Sequence, residues 1–248
     1  MRLATVQTSA EHTLLELWER AVALPGDERI DALLAAAGEA PPTSLGSRNA
    51  AVLQLRARLL GASQPLRSSC TACGATVEFT VDCAALARDL APPADVHGEH
   101  HLETEGWHVA FRLPLSADLR AASAHGSDRD AFVRTLWQRC VVRCERSDQL
   151  PCDADALPAT VTETLSKRME ALEPGATVEF DLTCPECDTR WTARMDCGAV
   201  VWSEVQACAE RLLLDVDALA RTYGWSEAEV LALGATRRAA YLQLIGGA

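Results

Sequence analysis

Ten cysteines are the richest source of chemistry in the chain, and four of them form two C-x2-C pairs: Cys70-Thr71-Ala72-Cys73 and Cys184-Pro185-Glu186-Cys187. A C-x2-C pair in a tight turn aims two thiolates at one tetrahedral metal ion and leaves two corners for a second pair. The two pairs therefore read as halves of a single site in which Cys70, Cys73, Cys184 and Cys187 hold one structural zinc per chain. Four thiolates suit iron as well as zinc. They also close the coordination sphere, so a metal held this way staples the fold and leaves no position for water or substrate.

The likeness extends past the pairs. Cys83 and Cys197 follow their knuckles at the same distance, and each comes directly after an aspartate, Asp82 or Asp196. Setting CTACGATVEFTVDCAAL over CPECDTRWTARMDCGAV gives an internal repeat with a long insertion between its copies. In an ordinary zinc ribbon the knuckles lie roughly 15 to 20 residues apart, whereas the stretch from Ala75 to Thr183 separates them here. The expectation is a split zinc ribbon, two strand-knuckle-strand hairpins brought face to face. The other reading of the pairs is metal-free turn cysteines; a disulfide within a pair is disfavoured, since nothing indicates export. Cys83 and Cys197 lie about 30 Å along a straight strand from their knuckles and are expected to be buried helix-start residues.

Two other clusters invite chemistry. His97-Gly98-Glu99-His100-His101 holds three of the six histidines, but it lacks the H-E-x-x-H order that puts two imidazoles on one helical face. Its glycine and the prolines before it predict a solvated loop leading into a strand. Cys140, Cys144 and Cys152 could share a metal, yet Val141-Val142-Arg143-Cys144 reads better as a strand with buried free cysteines. No nucleophile elbow or phosphate-binding loop occurs in the sequence. No catalytic residue, bound small molecule or enzymatic activity is expected.

Composition narrows the partners. The formal net charge is −12 and Lys167 is the only lysine; a protein that neutralises phosphates carries a basic face, so this balance argues against nucleic acid. The N-terminus lacks an apolar signal core, and no run approaches the about eighteen apolar residues of a membrane span. A cytoplasmic protein without a membrane partner is expected, and in that compartment cysteines serve metal or burial before disulfides.

The elements that must position the knuckles follow from periodicity and punctuation. Helices are predicted over Thr13–Leu24, with Val22 inward, then after an Asp27 cap, then after Ser44 or Ser47 with Val52, Leu55 and Leu59 inward and a stop at Gly61. Cys83–Leu90 forms a short helix, and Leu102–Leu113 a hairpin turned at Glu105-Gly106 with Trp107, Val109 and Phe111 on one face. Ser116 and Ser127 are expected to cap two helices, and a further helix spans Pro158–Leu172. Beyond Cys197 the chain is wholly helical: Val201–Tyr223, then a Ser226/Glu229 capping box, then a last helix bearing Tyr241, Leu244 and Ile245. The fold class is thus α+β and mostly helical. Its segments are an N-terminal helical region over 1–62, the first knuckle hairpin with its short helix over 63–91, and an inserted α/β subdomain over 92–176. The second knuckle hairpin over 177–200 and a C-terminal helical region over 201–248 complete it.

The run from Leu213-Leu214 through Ala220-Arg221-Thr222-Tyr223-Gly224-Trp225-Ser226-Glu227 to Leu233, closed by Arg237–Leu242, resembles the tails of baseplate proteins of contractile phages and phage-tail-like injection systems. Phe111-Arg112-Leu113-Pro114-Leu115-Ser116-Ala117-Asp118-Leu119 and the opening Leu17-Trp18-Glu19-Arg20 are similar to them as well. The resemblance implies a baseplate hub component or hub-assembly chaperone whose partners are other proteins of the tail. A zinc-ribbon module binding nucleic acid or the transcription machinery is the alternative. A four-cysteine metal site is itself a departure from a plain phage chaperone.

Overall fold

In a computed structural model the protein is described over residues 10–246, excepting 41, 43, 92–97, 125, 127 and 147–150. The fold is α+β and mostly helical, with three small antiparallel sheets among the described residues. It divides into two compact units, 1–39 with 198–248, and 40–197.

The first unit is helical. α1 (Ala10–Ala21) buries Leu14, Leu15, Leu17 and Ala21, and α2 (Gly26–Ala36) buries Ile30, Leu33 and Leu34. Val22 lies beyond the end of α1 and is exposed, contrary to its predicted place inside. Pro25, not Asp27, holds the N-cap position of α2. From the C-terminal part come the long α8 (Cys197–Tyr223), α9 (Glu227–Leu231) and α10 (Ala235–Gly246); the unit boundary falls at the first residue of α8. Gly224 at φ +71 stops α8, and the predicted capping box opens α9, with the Ser226 N–H donating to Glu229 at 2.8 Å. The residues that carry the tail resemblance turn out to pack together. Tyr223 stacks on Trp225 with ring centroids 4.8 Å apart, and Tyr241 meets Trp225 edge-on at 4.9 Å. Leu244 is 65% exposed. The buried residue of α10 is Arg238, whose guanidinium is held by Glu11 and Asp215.

The second unit holds the sheets. α3 (Leu45–Leu60) opens on Ser44, whose hydroxyl accepts from the Ser47 N–H at 3.2 Å, and ends at Gly61. β1 (Ser63–Ser69) and β2 (Thr76–Asp82) form the first hairpin, followed by α4 (Cys83–Leu90). β3 (His100–Thr104), β4 (Trp107–Phe111), β5 (Val141–Arg146) and β6 (Pro151–Cys152) make a four-stranded meander in that order. β3 begins at His100, two residues before the predicted hairpin, because His100 pairs with Phe111 in the ladder; His97 lies outside the described residues. Glu105 at φ +50 and Gly106 at φ +78 make the tight turn with two left-handed residues that a two-residue hairpin demands.

α5 (Ser116–Ser123) and α6 (Arg129–Cys140) pack on one another, and α7 (Ala159–Leu172) covers the meander. Val109, Phe111, Cys144, Leu157, Val161 and Leu165 form the core between them. The cap of α5 was not placed correctly by sequence. Ser116 is the first residue of α5, and the Leu115 N–H ahead of it donates to Asp118 at 2.9 Å. Asp128 caps α6 by accepting from Asp130 and Ala131, while Ser127 lies outside the described residues. β7 (Val178–Thr183) and β8 (Arg190–Met195) form the second knuckle hairpin.

Candidate metal centre

Each knuckle is a turn between two paired strands, and the two turns share their hydrogen-bond pattern. In the first, the Cys70 N–H donates to the Ala75 carbonyl at 2.8 Å and the Gly74 N–H to the Cys70 carbonyl at 3.0 Å. In the second, the Cys184 N–H donates to the Thr189 carbonyl at 2.9 Å and the Asp188 N–H to the Cys184 carbonyl at 3.0 Å. The residue after the second cysteine must be left-handed, and it is Gly74 at φ +74 in one copy and Asp188 at φ +57 in the other. Glycine enters this region without a steric penalty, and aspartate is among the few side chains that tolerate it. The internal repeat is therefore a repeat of conformation.

Alternation along the hairpins sets their inner faces. Leu66, Val77, Phe79 and Val81 are half-buried on the first, and Phe180, Leu182, Trp191 and Met195 on the second. The Phe79 and Phe180 rings meet at 5.3 Å, and the Trp191 indole N–H donates to the Ser68 hydroxyl at 3.3 Å. The outer faces carry cross-strand ion pairs, Arg67 with Glu78 at 2.9 Å and Arg194 with Glu179 at 2.6 Å.

This packing brings the two turns together. The Sγ atoms of Cys70, Cys73, Cys184 and Cys187 all lie within 4.8 Å of one another. Cys70 to Cys187 is 3.7 Å, and Cys73 is 3.6 Å from both Cys184 and Cys187. A tetrahedron with metal-sulfur bonds of about 2.3 Å has edges of about 3.8 Å, so these separations fit four thiolates around one ion. Cys70 and Cys184 are buried while Cys73 and Cys187 face solvent. Among the described residues this is the one group of three or more potential ligands close enough to hold a metal.

The electrostatics match that donor chemistry. The hydroxyl and N–H of Thr189 donate to Cys187 and hold its thiol down at about 6. Backbone N–H groups of Cys73 and Ala72 lower Cys70. At Cys73 the N–H of Ala75 favours ionisation, but Cys187 and Cys184 oppose it, and the thiol is pushed up to about 12. Successive thiolates in one cluster repel, and a cation is what makes a full set compatible. Thr189, Gly74 and Asp188 are the supporting residues that sequence reasoning did not single out. Their signal was available as the fifth and sixth positions of the aligned repeat.

The remaining cysteines lie apart from this cluster. Cys83 and Cys197 are buried at the first positions of α4 and α8, and burial, then Asp196 and Cys83, push the Cys197 thiol up to about 12. Cys140 ends α6, Cys144 lies on β5 and Cys152 on β6; burial pushes the Cys140 thiol up to about 11. His101 lies 3.7 Å from Glu99 on the exposed start of β3.

Two turns far apart in the sequence of an α+β chain thus bring four cysteines to one point. The family model that matches is the T4 bacteriophage base plate protein, over residues 27–198, and the chain belongs to this family. It is a structural baseplate protein, with other phage proteins as its partners. The match takes in both knuckles and Phe111–Leu119; the C-terminal run from Leu213 lies beyond it. No curated protein and no solved structure matches the chain. Among the described residues no helix is long and apolar enough to cross a membrane.

Proposed function

We propose that the chain is a non-enzymatic component of a contractile injection system baseplate, either resident in the hub or acting as a hub-assembly chaperone. In this reading one zinc ion, bound by Cys70, Cys73, Cys184 and Cys187, joins the two hairpins as a split zinc ribbon. The observation that carries it is the convergence of four thiols from turns more than one hundred residues apart, at separations of 3.6 to 3.7 Å, inside the segment that matches the baseplate family. Such an ion would fix the relative placement of surface elements on both sides of it, which is what an assembly part requires. A nucleic-acid-binding ribbon has less support. The net charge is −12, and two exposed hairpin arginines, Arg67 and Arg194, are each engaged by a glutamate.

The test is to purify a tagged chain from cells producing the whole tail gene cluster and to identify what stays bound. Tube, spike or hub proteins are expected. Their presence in the assembly pool, with the chain absent from finished particles, selects the chaperone form; presence in both selects the resident form. Retention of nucleic acid without any tail protein would overturn the proposal.

A further inference from the structure

Outside the four-cysteine centre a second pair of thiols is brought together by the fold. Cys144 on β5 and Cys152 on β6 are register partners on adjacent antiparallel strands, and their Sγ atoms are 2.6 Å apart. That separation is well inside non-bonded sulfur contact and far short of the about 3.8 Å that two thiolates sharing a metal would keep. Side chains directly opposite on neighbouring strands have Cβ atoms about 4.5 to 5.5 Å apart, and a disulfide spans about 3.5 to 4.5 Å between Cβ atoms. The closer cross-strand geometry therefore accommodates the bond. We propose that Cys144 and Cys152 form an oxidisable dithiol that closes to a cross-strand disulfide by exchange with a small disulfide such as oxidised glutathione.

The two thiols have different parts in this exchange. Cys152 is half-buried and accessible, whereas Cys144 is 2% exposed and packs in the core between the meander and α7. Burial, then the neighbouring Cys152, push the Cys144 thiol up to about 12. The Cys152 thiolate attacks one sulfur of oxidised glutathione and expels a glutathione thiolate, leaving a mixed disulfide. The Cys144 sulfur then attacks Cys152 Sγ, its proton passing to the second departing glutathione. Two protein thiols are oxidised and one small disulfide is reduced to two thiols. The bond would pin β6, a strand of two residues held to the sheet by two register pairs, to the centre of the meander. A chain with this device is held more firmly in an oxidising medium than in a reducing one.

The full-length, metal-loaded protein is incubated with oxidised glutathione, free thiols are alkylated, and peptides are mapped by mass spectrometry. The expected result is a Cys144–Cys152 linked peptide lighter by two hydrogens, formed at lower oxidant concentration than any link among the other cysteines. A rise in Tm of roughly 5 °C should accompany it. Cys152→Ser should abolish both changes, and Cys208→Ser, in the other unit, should leave both intact. Full alkylation of Cys144 and Cys152 in the oxidised wild type, or links that form only elsewhere, would overturn the proposal whether or not the variants fold.

Discussion

Asp118 is the residue on which the loop between meander and helices turns. It is 1% exposed yet charged, gripped by both terminal nitrogens of Arg112 at 2.6 and 2.9 Å, by Arg139 at 2.7 Å and by the Leu115 N–H. Burial alone would raise its carboxyl, but Arg112, the Leu115 N–H and Arg139 outweigh burial and hold it at about 2. The folded pKa is thus below the unfolded value of about 3.9, so its contribution to stability is complete above pH 4 or so and is lost as the pH falls toward 2. Asp118→Ala removes the carboxylate that two guanidiniums share, although Arg112 still donates to the Leu113 carbonyl at 3.1 Å; both are about a third exposed or more, so water recovers part of the loss. The expected cost in urea unfolding at pH 7 is about 2 to 3 kcal/mol, narrowing on acidification below pH 4. A variant within about 0.5 kcal/mol of wild type at pH 7 would show that the cluster is a surface pair in energetic terms.

At the scale of elements, the second unit is tied where the Pro174–Ala176 turn meets α3 and α4. Glu173 is buried and accepts from the Gly46 N–H at 2.8 Å in the first turn of α3, and Asn49 donates to the Gly175 carbonyl at 3.0 Å. A Cβ on Gly175 would sit 2.3 Å from the carbonyl oxygen of Leu90, a backbone atom that cannot swing aside. Gly175→Ala should therefore cost about 2 kcal/mol or more by forcing α4 away from the turn. Unfolding curves superimposable on wild type would show that the junction has slack. Glu173-Pro174-Gly175 carries a turn signal in the sequence, but nothing local to it reports that Leu90 is the neighbour.

The same division holds elsewhere. The knuckle turns, the Ser44 and Ser226 caps and the Glu105-Gly106 turn depend on contiguous residues, and their chemistry is readable in the sequence. Ser116 misled because it is the first helical residue of α5, with Leu115 in the N-cap position and its N–H met by Asp118. Val22 misled because its periodicity runs past the end of α1, and Arg238 escaped notice although it and its two carboxylates organise the docked face of α10. Contacts such as these join residues remote in sequence and leave no local trace.

On the scale of the whole molecule, the knuckles are a long-range link in unit 40–197, with Cys70 and Cys187 117 positions apart. Beyond the thiols, the facing hairpin surfaces contribute the Phe79–Phe180 contact and one indole hydrogen bond. With the Gly46–Glu173 and Asn49–Gly175 hydrogen bonds they make a modest set of direct ties between the two ends of so long a segment. Closing a loop of that length removes about 4 to 5 kcal/mol of chain entropy from the unfolded state, and a structural zinc site supplies binding free energy on the order of 10 kcal/mol. If the proposed site is right, elemental analysis of purified protein finds one zinc per chain. Cys184→Ser with Cys187→Ser, or a strong chelator on wild type, should then lower Tm by roughly 10 °C or more and open residues 40–197 to protease. Partner capture should fail with the same treatments, because the surfaces that meet the partner are placed by the clamp. Iron in place of zinc would correct the metal and keep the clamp. No metal, two metals per chain, or a double variant that stays compact and still captures its partner would show that the thiols converge without holding the molecule together.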